Sequence, residues 1–112
     1  MKNLFFCAFF LMFHLHVSGN DSIRALIVTG GHNFDRSAFF RMFDSFSDFS
    51  YTEAVQPQGN IIIEVRGAED YDLLIFYDMY DSITETQKQA YIELLKKGKP
   101  VIFMHHALVS YQ

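Results

Sequence analysis

Three largely apolar runs, each ending in glycine or polar residues, most constrain what this chain can fold into. They cover residues 24–29, 72–77 and 101–104. Because their apolar residues are continuous rather than alternating, the runs are typical of strands covered on both faces. Patterns with helical spacing lie between them, and alternating strands and helices indicate a parallel sheet with right-handed crossovers. The sequence therefore predicts a doubly wound α/β fold.

Two helices are marked by apolar spacing and by capping residues. Between residues 35 and 46, Phe39, Phe43 and Phe46 recur at helical spacing, and Asp35 is placed to accept hydrogen bonds from the first turn. The second helix follows residue 82 and ends before Gly98, which suits the left-handed position beyond a helix. Its candidate capping pairs are Ser82 with Glu85 and Thr84 with Gln87.

The segment between these helices carries a weaker pattern. Residues 49–55 fit a second strand, ended by a turn that contains Pro57 and Gly59. The β-branched residues 61–65 then predict either another short strand or an edge element.

An apolar N-terminal segment has the order of a secretory signal peptide. Lys2 precedes an apolar stretch with five phenylalanines, and Val17 and Gly19 are suitable residues before a cleavage site. The stretch is shorter than the ~20 residues that a spanning helix needs. We therefore expect a signal peptide at residues 1–19, one domain at residues 20–112, a secreted or periplasmic location and no membrane span after cleavage.

Removal of that segment changes the chemistry that residues 20–112 can support. The single cysteine, Cys7, lies within the segment, so the remaining residues offer neither a disulfide nor a thiol nucleophile. Lys2 is one of nine Lys and Arg residues, and the others are outnumbered by thirteen Asp and Glu. An acidic chain without a basic stripe argues against nucleic acid as a partner.

Polar residues follow three of the predicted strands. His32 lies after the first run, Asp78 and Tyr80 after the run at 72–77, and His105 and His106 after the last. Because parallel strands end at one edge of a sheet, we expect these side chains to line one site. A histidine near an aspartate can act as a general acid or base, whereas two histidines and a carboxylate could hold a divalent metal ion. Each residue also has a structural alternative, such as capping a helix or contacting a backbone carbonyl.

Three segments resemble the ThuA-like (trehalose utilisation) family. They are residues 25–32, 71–76 and 94–107, the last ending in His105, His106 and Ala107. The resemblance implies a flavodoxin-like, three-layer α/β/α fold of the class I glutamine amidotransferase-like superfamily. It also implies a role in the utilisation of trehalose or keto-sugar glycosides. His105 stands at the turn where true amidotransferases carry a nucleophilic cysteine, so thiol-dependent glutamine hydrolysis is excluded for residues 20–112.

The meeting of the strand ends predicts roles for the polar residues, and the resemblance implies an incomplete domain. His105 and His106 are the expected catalytic pair of a glycoside-processing hydrolase or lyase. His32, Asp78 and Tyr80 are the expected carbohydrate-binding residues, and no cofactor is required. ThuA-like domains continue well beyond this length, so we expect an N-terminal part whose exposed sheet edge favours homo-oligomers. Two alternatives stay open, namely a sugar-binding module without catalysis and a metal-dependent hydrolase.

Overall fold

The computed structural model describes residues 22–66 and 68–112, and the predicted signal peptide lies outside the described residues. The elements, in chain order, are β1 (Ile23–Gly30), α1 (Arg36–Asp44), β2 (Phe49–Val55), α2 (Gln58–Arg66), β3 (Leu73–Asp78), α3 (Glu85–Lys96) and β4 (Val101–Phe103). A 3₁₀ helix, His105–Val109, follows β4. We call it the histidine turn.

The four strands form one parallel sheet in the order β2-β1-β3-β4. This order reverses direction at β1, as it does in flavodoxin-like folds. Leu26 and Val28 of β1 pack in an apolar cluster with residues of α2 and α3, and Ala25 and Ile27 pack in a second cluster with Phe43 of α1. Helices therefore cover both faces of the sheet, and the predicted doubly wound α/β fold is confirmed.

The first predicted helix forms, but it is shorter than its phenylalanine pattern. Asp35 caps it, since the side chain accepts a hydrogen bond from the amide of Ala38 at 2.9 Å. The helix ends at Asp44, and Phe46 lies beyond it with 50% of its surface exposed. Phe43 is the buried residue that fixes α1 to the sheet, and Phe46 contacts the rings of Phe43 and Phe49 from beyond the end of the helix.

Residues 61–65 are the clearest correction to the sequence interpretation. They were expected to be extended, and they lie instead within the helix α2. The buried side of α2 consists of Gly59, Asn60 and Ile63, which share one helical face. At Gly59 a β-carbon would lie 2.5 Å from Val28 Cγ1, so glycine allows α2 to pack closely on β1. This packing outweighs the weak strand preference of three consecutive isoleucines.

Helix α3 has both of the end signals that its sequence predicts. Thr84 and Gln87 form the capping box, each side chain bonding the other residue's amide at 3.1 Å, rather than the pair Ser82 and Glu85. Gly98 follows the helix with φ +78°, and its amide donates to the carbonyl of Leu95 at 3.0 Å. This left-handed ending turns the chain into β4.

Across residues 22–66 and 68–112, none of the helices combines the length and the apolar character required to cross a membrane.

Candidate functional site

The carboxyl ends of the strands meet at one edge of the sheet, which we call the carboxyl edge. Gly30 at the end of β1 pairs with Asp78 at the end of β3, and Thr29 pairs with Val55 at the end of β2. In open α/β sheets, ligands bind beyond this edge, close to where the strand order reverses. The turns that follow β1, β3 and β4 therefore form the candidate site.

Gly31 fixes the first of these turns. It has φ +81°, and a β-carbon there would lie only 1.6 Å from the carbonyl oxygen of Met79. The amide of Met79 in turn donates to the carbonyl of Gly30 at 2.8 Å. Because no side chain fits between the two segments, glycine allows the loop after β1 to lie directly on the loop after β3. This contact sets the position of the next residue, His32.

His32 crosses the end of β3 and reaches the segment that follows β4. Its Nε2 lies 3.1 Å from the carbonyl oxygen of Tyr77, and its Nδ1 lies 3.3 Å from that of Asn33. Its ring is centred 4.4 Å from the ring of His106, which in turn is 4.1 Å from the ring of His105. The structure thus brings together three histidines from two separate strand ends.

His105 occupies a strained position at the start of the histidine turn. Its φ of +37° is in the left-handed region, which L-residues with a β-carbon rarely adopt. It is the first residue of the 3₁₀ helix, and only Met104 separates it from the end of β4. Non-glycine residues held in this conformation cluster at functional sites, and sharp strand-to-helix turns are used to expose a reactive side chain.

His106 has the least satisfied polar atom of the described residues. Its Nδ1 is enclosed without a hydrogen-bond partner, the only buried side-chain nitrogen or oxygen in the described part of the chain with this property. Loss of solvent, reinforced by the neighbouring His105 and His32, lowers the pKa of the His106 imidazole below its ordinary value. The ring is therefore neutral at neutral pH and can accept a proton.

An aromatic cavity of about 550 Å³ lies beside His105, a volume typical of small-ligand sites. The cavity is lined by Phe34, Asp35, Ala38, Phe39, Met42, Tyr77, Met104 and His105. Tyr77 stacks on Phe39 with ring centres 4.7 Å apart, and Phe34 meets the Tyr77 ring edge-to-face at 5.1 Å. These contacts fix the orientation of the aromatic wall next to the histidines.

Asp78 and Tyr80 are held by contacts with other residues, although His32 interacts electrostatically with Asp78. The Asp78 side chain is buried and accepts a hydrogen bond from Gln56 Nε2 at 2.8 Å. Burial raises the pKa of the Asp78 carboxyl, although the Gln56 hydrogen bond opposes this rise. Tyr80 lines a separate cavity of about 260 Å³ with residues that include Asn60 and Ser82. Of the five predicted site residues, His105 alone lines the aromatic cavity, and His106 and His32 follow it in a row of contacting rings.

Sequence reasoning missed a buried polar network around Asp78. Gln56 Nε2 contacts Asn60 Oδ1 and the Tyr111 hydroxyl, both at 3.1 Å. Asn60 Oδ1 also accepts hydrogen bonds from the Tyr91 hydroxyl at 2.7 Å and from the Tyr111 hydroxyl at 2.6 Å. One signal was available, because Gln56 and Asn60 are one helical turn apart and directly follow β2, which ends at the carboxyl edge.

A second polar cluster holds the other side of that edge. Arg36 binds the Glu53 carboxylate through two nitrogens, at 2.9 and 2.6 Å, and the buried Thr29 hydroxyl donates to the same carboxylate. Burial alone would raise the pKa of Glu53, but the hydrogen bonds from Arg36 and Thr29 outweigh it, and this pKa lies below its ordinary value. The cluster ties α1 to β1 and β2.

The fold and the carboxyl edge together define a flavodoxin-like α/β protein with clustered histidines where such folds bind ligands. A scan against protein-family models and searches of curated proteins and of solved structures found no match to this chain. Within the ranges that the structure describes, no group of three or more His, Cys, Asp or Glu side chains is arranged to hold a metal ion.

Proposed function

We propose that this chain is a ThuA-like domain that acts on a carbohydrate, either trehalose or a keto-sugar glycoside. The carbohydrate binds at the carboxyl edge, and His105 and His106 act as the acid/base pair. The observation that carries the proposal is the meeting of His32, His105 and His106 beside an aromatic cavity. The likeness of residues 94–107 to the ThuA-like family supports the choice of substrate class.

The aromatic cavity suits one face of a sugar ring. Phe34 and Tyr77 present aromatic surface, and the C–H faces of sugars pack on such rings while their hydroxyls stay at the polar rim. His105 lies at that rim. A sugar seated on Tyr77 therefore has its hydroxyl groups within reach of the histidine turn.

His106 is the proposed general base. Its lowered pKa keeps the imidazole neutral near pH 7, as proton abstraction from a sugar hydroxyl or from a carbon beside a keto group requires. His32 packs against the His106 ring and fixes its orientation. Asp78 and Tyr80 support the site from the buried network and the neighbouring loop rather than by lining the aromatic cavity.

The proposal includes export and self-association. We infer that residues 1–19 direct the chain to the periplasm or the exterior. The outer edge of β4 carries Ile102 and Phe103, each 47% exposed, and a second copy pairing along this edge would cover both. Light scattering on the purified chain tests the association, and a mass that stays monomeric at millimolar concentration would exclude it.

The test of the carbohydrate function uses binding and product analysis on the same samples. Trehalose and a keto-sugar glycoside are titrated into the full chain by calorimetry, and each mixture is then analysed by mass spectrometry. We expect saturable binding and a new species. His106→Gln keeps a polar side chain but removes the titrating ring, so it should retain binding and lose a factor of about 10²–10⁴ in rate.

The control is Gln89→Ala, which removes an exposed polar side chain on α3 and should change neither result. Saturable binding by the unmodified chain without a new species would favour a sugar-binding module. The absence of binding to either carbohydrate would overturn the proposal.

A further inference from the structure

The segment that carries His105 and His106 is not held by its own packing. Of the side chains in the histidine turn, Ala107 is buried, whereas Leu108 and Val109 are 72% and 43% exposed. A 3₁₀ helix of this length has few internal hydrogen bonds to keep it in place. Other contacts must therefore fix the position of the histidines.

Those contacts lie at the far end of the turn. The Ser110 hydroxyl donates to the carbonyl of Asp78 and accepts from the amide of Tyr80, both at 3.3 Å. The amide of Tyr111 donates to the carbonyl of Tyr80 at 2.8 Å. Two consecutive residues thus attach the end of the turn to the loop after β3.

Tyr111 adds a side-chain anchor. Its φ of +63° is in the left-handed region, which directs the ring back towards the sheet, and its hydroxyl enters the buried network at Asn60 Oδ1, 2.6 Å away. A non-glycine residue keeps such a backbone only where its surroundings fix it. The strained residues His105 and Tyr111 therefore lie at the start of the histidine turn and just beyond its end, and the Tyr111 hydroxyl holds the latter position.

We propose that Tyr111 is a positioning residue, which sets the place of the His106 ring against His32 through its hydroxyl contacts with Asn60 and Gln56. This inference rests on the proposed function only in giving His105 and His106 a catalytic use. The positioning itself is a property of the turn and can be measured without a carbohydrate.

The buried polar network should tolerate the loss of the Tyr111 hydroxyl. Asn60 Oδ1 accepts three hydrogen bonds, from Gln56, Tyr91 and Tyr111, so Tyr111→Phe leaves it two donors. Gln56 Nε2 keeps Asp78 and Asn60 as acceptors. No buried polar atom loses its last partner, and the variant should therefore fold.

Tyr91→Phe is the matched control. It removes one hydroxyl from the same Asn60 oxygen, together with a 3.3 Å contact to the Tyr111 hydroxyl. The Tyr111 hydroxyl keeps Asn60 and Gln56 as partners, and Tyr91 belongs to α3, away from the histidines in sequence. A purely structural role for the two hydroxyls would give both variants the same effect. A positioning role affects the histidines in Tyr111→Phe alone.

The experiment is a proton NMR titration of the histidine rings in the full chain and in both variants. In Tyr111→Phe the His106 ring should become more solvated and more distant from His32, so its titration midpoint should rise towards the ordinary value of about 6.5. In Tyr91→Phe the midpoint should stay where it is in the unmodified chain.

Ser110→Ala provides a second perturbation of the same anchor, and it should raise the midpoint in the same direction. It takes the place of Tyr111→Phe if circular dichroism shows that the latter is unfolded. Equal midpoints in the unmodified chain and the folded anchor variant, or equal shifts in Tyr91→Phe, would overturn the inference. Failure of the proposed function would appear as absent carbohydrate binding and would leave these midpoints unaffected.

Discussion

Replacing His105 by glycine should make the protein more stable, the opposite of what glycine usually does. At φ +37°, the β-carbon of any L-residue is close to its own carbonyl oxygen. This conformation costs about 1–2 kcal/mol, whereas the greater backbone freedom of glycine in the unfolded chain costs about 0.5–1 kcal/mol. The net expectation is a gain of up to about 1.5 kcal/mol in the free energy of unfolding.

Alanine separates the strain from the loss of the ring. His105→Ala removes the imidazole but keeps the β-carbon, so the strain persists. The His105 side chain is exposed and its ring contacts that of His106, so its removal should change the free energy of unfolding by no more than about 0.5 kcal/mol. We therefore expect the free energy of unfolding of His105→Ala to resemble that of the unmodified chain, and that of His105→Gly to exceed both.

Urea unfolding followed by far-ultraviolet circular dichroism measures the three free energies. Lys88, exposed within α3, provides a control pair of variants at an ordinary helical position. There Lys88→Gly should be less stable than Lys88→Ala by about 1 kcal/mol. If His105→Gly is no more stable than His105→Ala, the turn is not strained and the physical argument for a functional position at His105 is refuted.

Three further perturbations test other parts of the carboxyl edge. Asp78→Asn removes a buried carboxyl whose pKa is raised in the folded protein. The unmodified chain should lose free energy of unfolding as pH rises from about 3.8 through that pKa, and the variant should not. Urea unfolding at several pH values measures both. Glu53→Gln should lower stability by up to about 1 kcal/mol above pH 4.5 and converge with the unmodified chain as pH falls through the lowered Glu53 pKa; a difference that persists in acid would contradict the ion-pair explanation. Gly31→Ala should lower the free energy of unfolding by several kcal/mol or prevent folding, because its β-carbon would overlap the Met79 carbonyl. Gly98 has the same left-handed backbone in open space, so Gly98→Ala should lower the free energy of unfolding by only about 1 kcal/mol. Equal unfolding midpoints for the two glycine variants would show that the Gly31 contact is not tight.

The sequence predicted the sheet well because its strands are the most strongly constrained segments. A run buried on both faces, such as residues 25–28, has few alternatives to a central parallel strand. Helix α2 was mistaken for a strand because its isoleucines favour extended structure locally. What decides its conformation is the packing of Gly59 and Ile63 on the sheet, which a local pattern does not contain.

The candidate site was predictable only in part, for a related reason. Parallel strands place their ends together, so the approach of His32 to His106 could be expected from topology alone. The attachment of Tyr111 to Asn60 joins residues that are far apart in sequence, and no rule of strand order anticipates it. Burial of Asp78 in that network likewise required the three-dimensional packing.

The position of β1 in the middle of the sheet has a consequence for synthesis. Within the described part of the chain, every strand pair is parallel and its two strands are separated in sequence by at least one helix, so no strand finds its partner in a short hairpin. One side of β1 pairs with β2, as Ile23 does with Phe49, and its other side pairs with β3, as Ala25 does with Leu73. As the chain leaves the ribosome, β1 therefore stays an incompletely paired apolar segment until β3 has emerged, a period in which a chaperone would find a ready binding sequence.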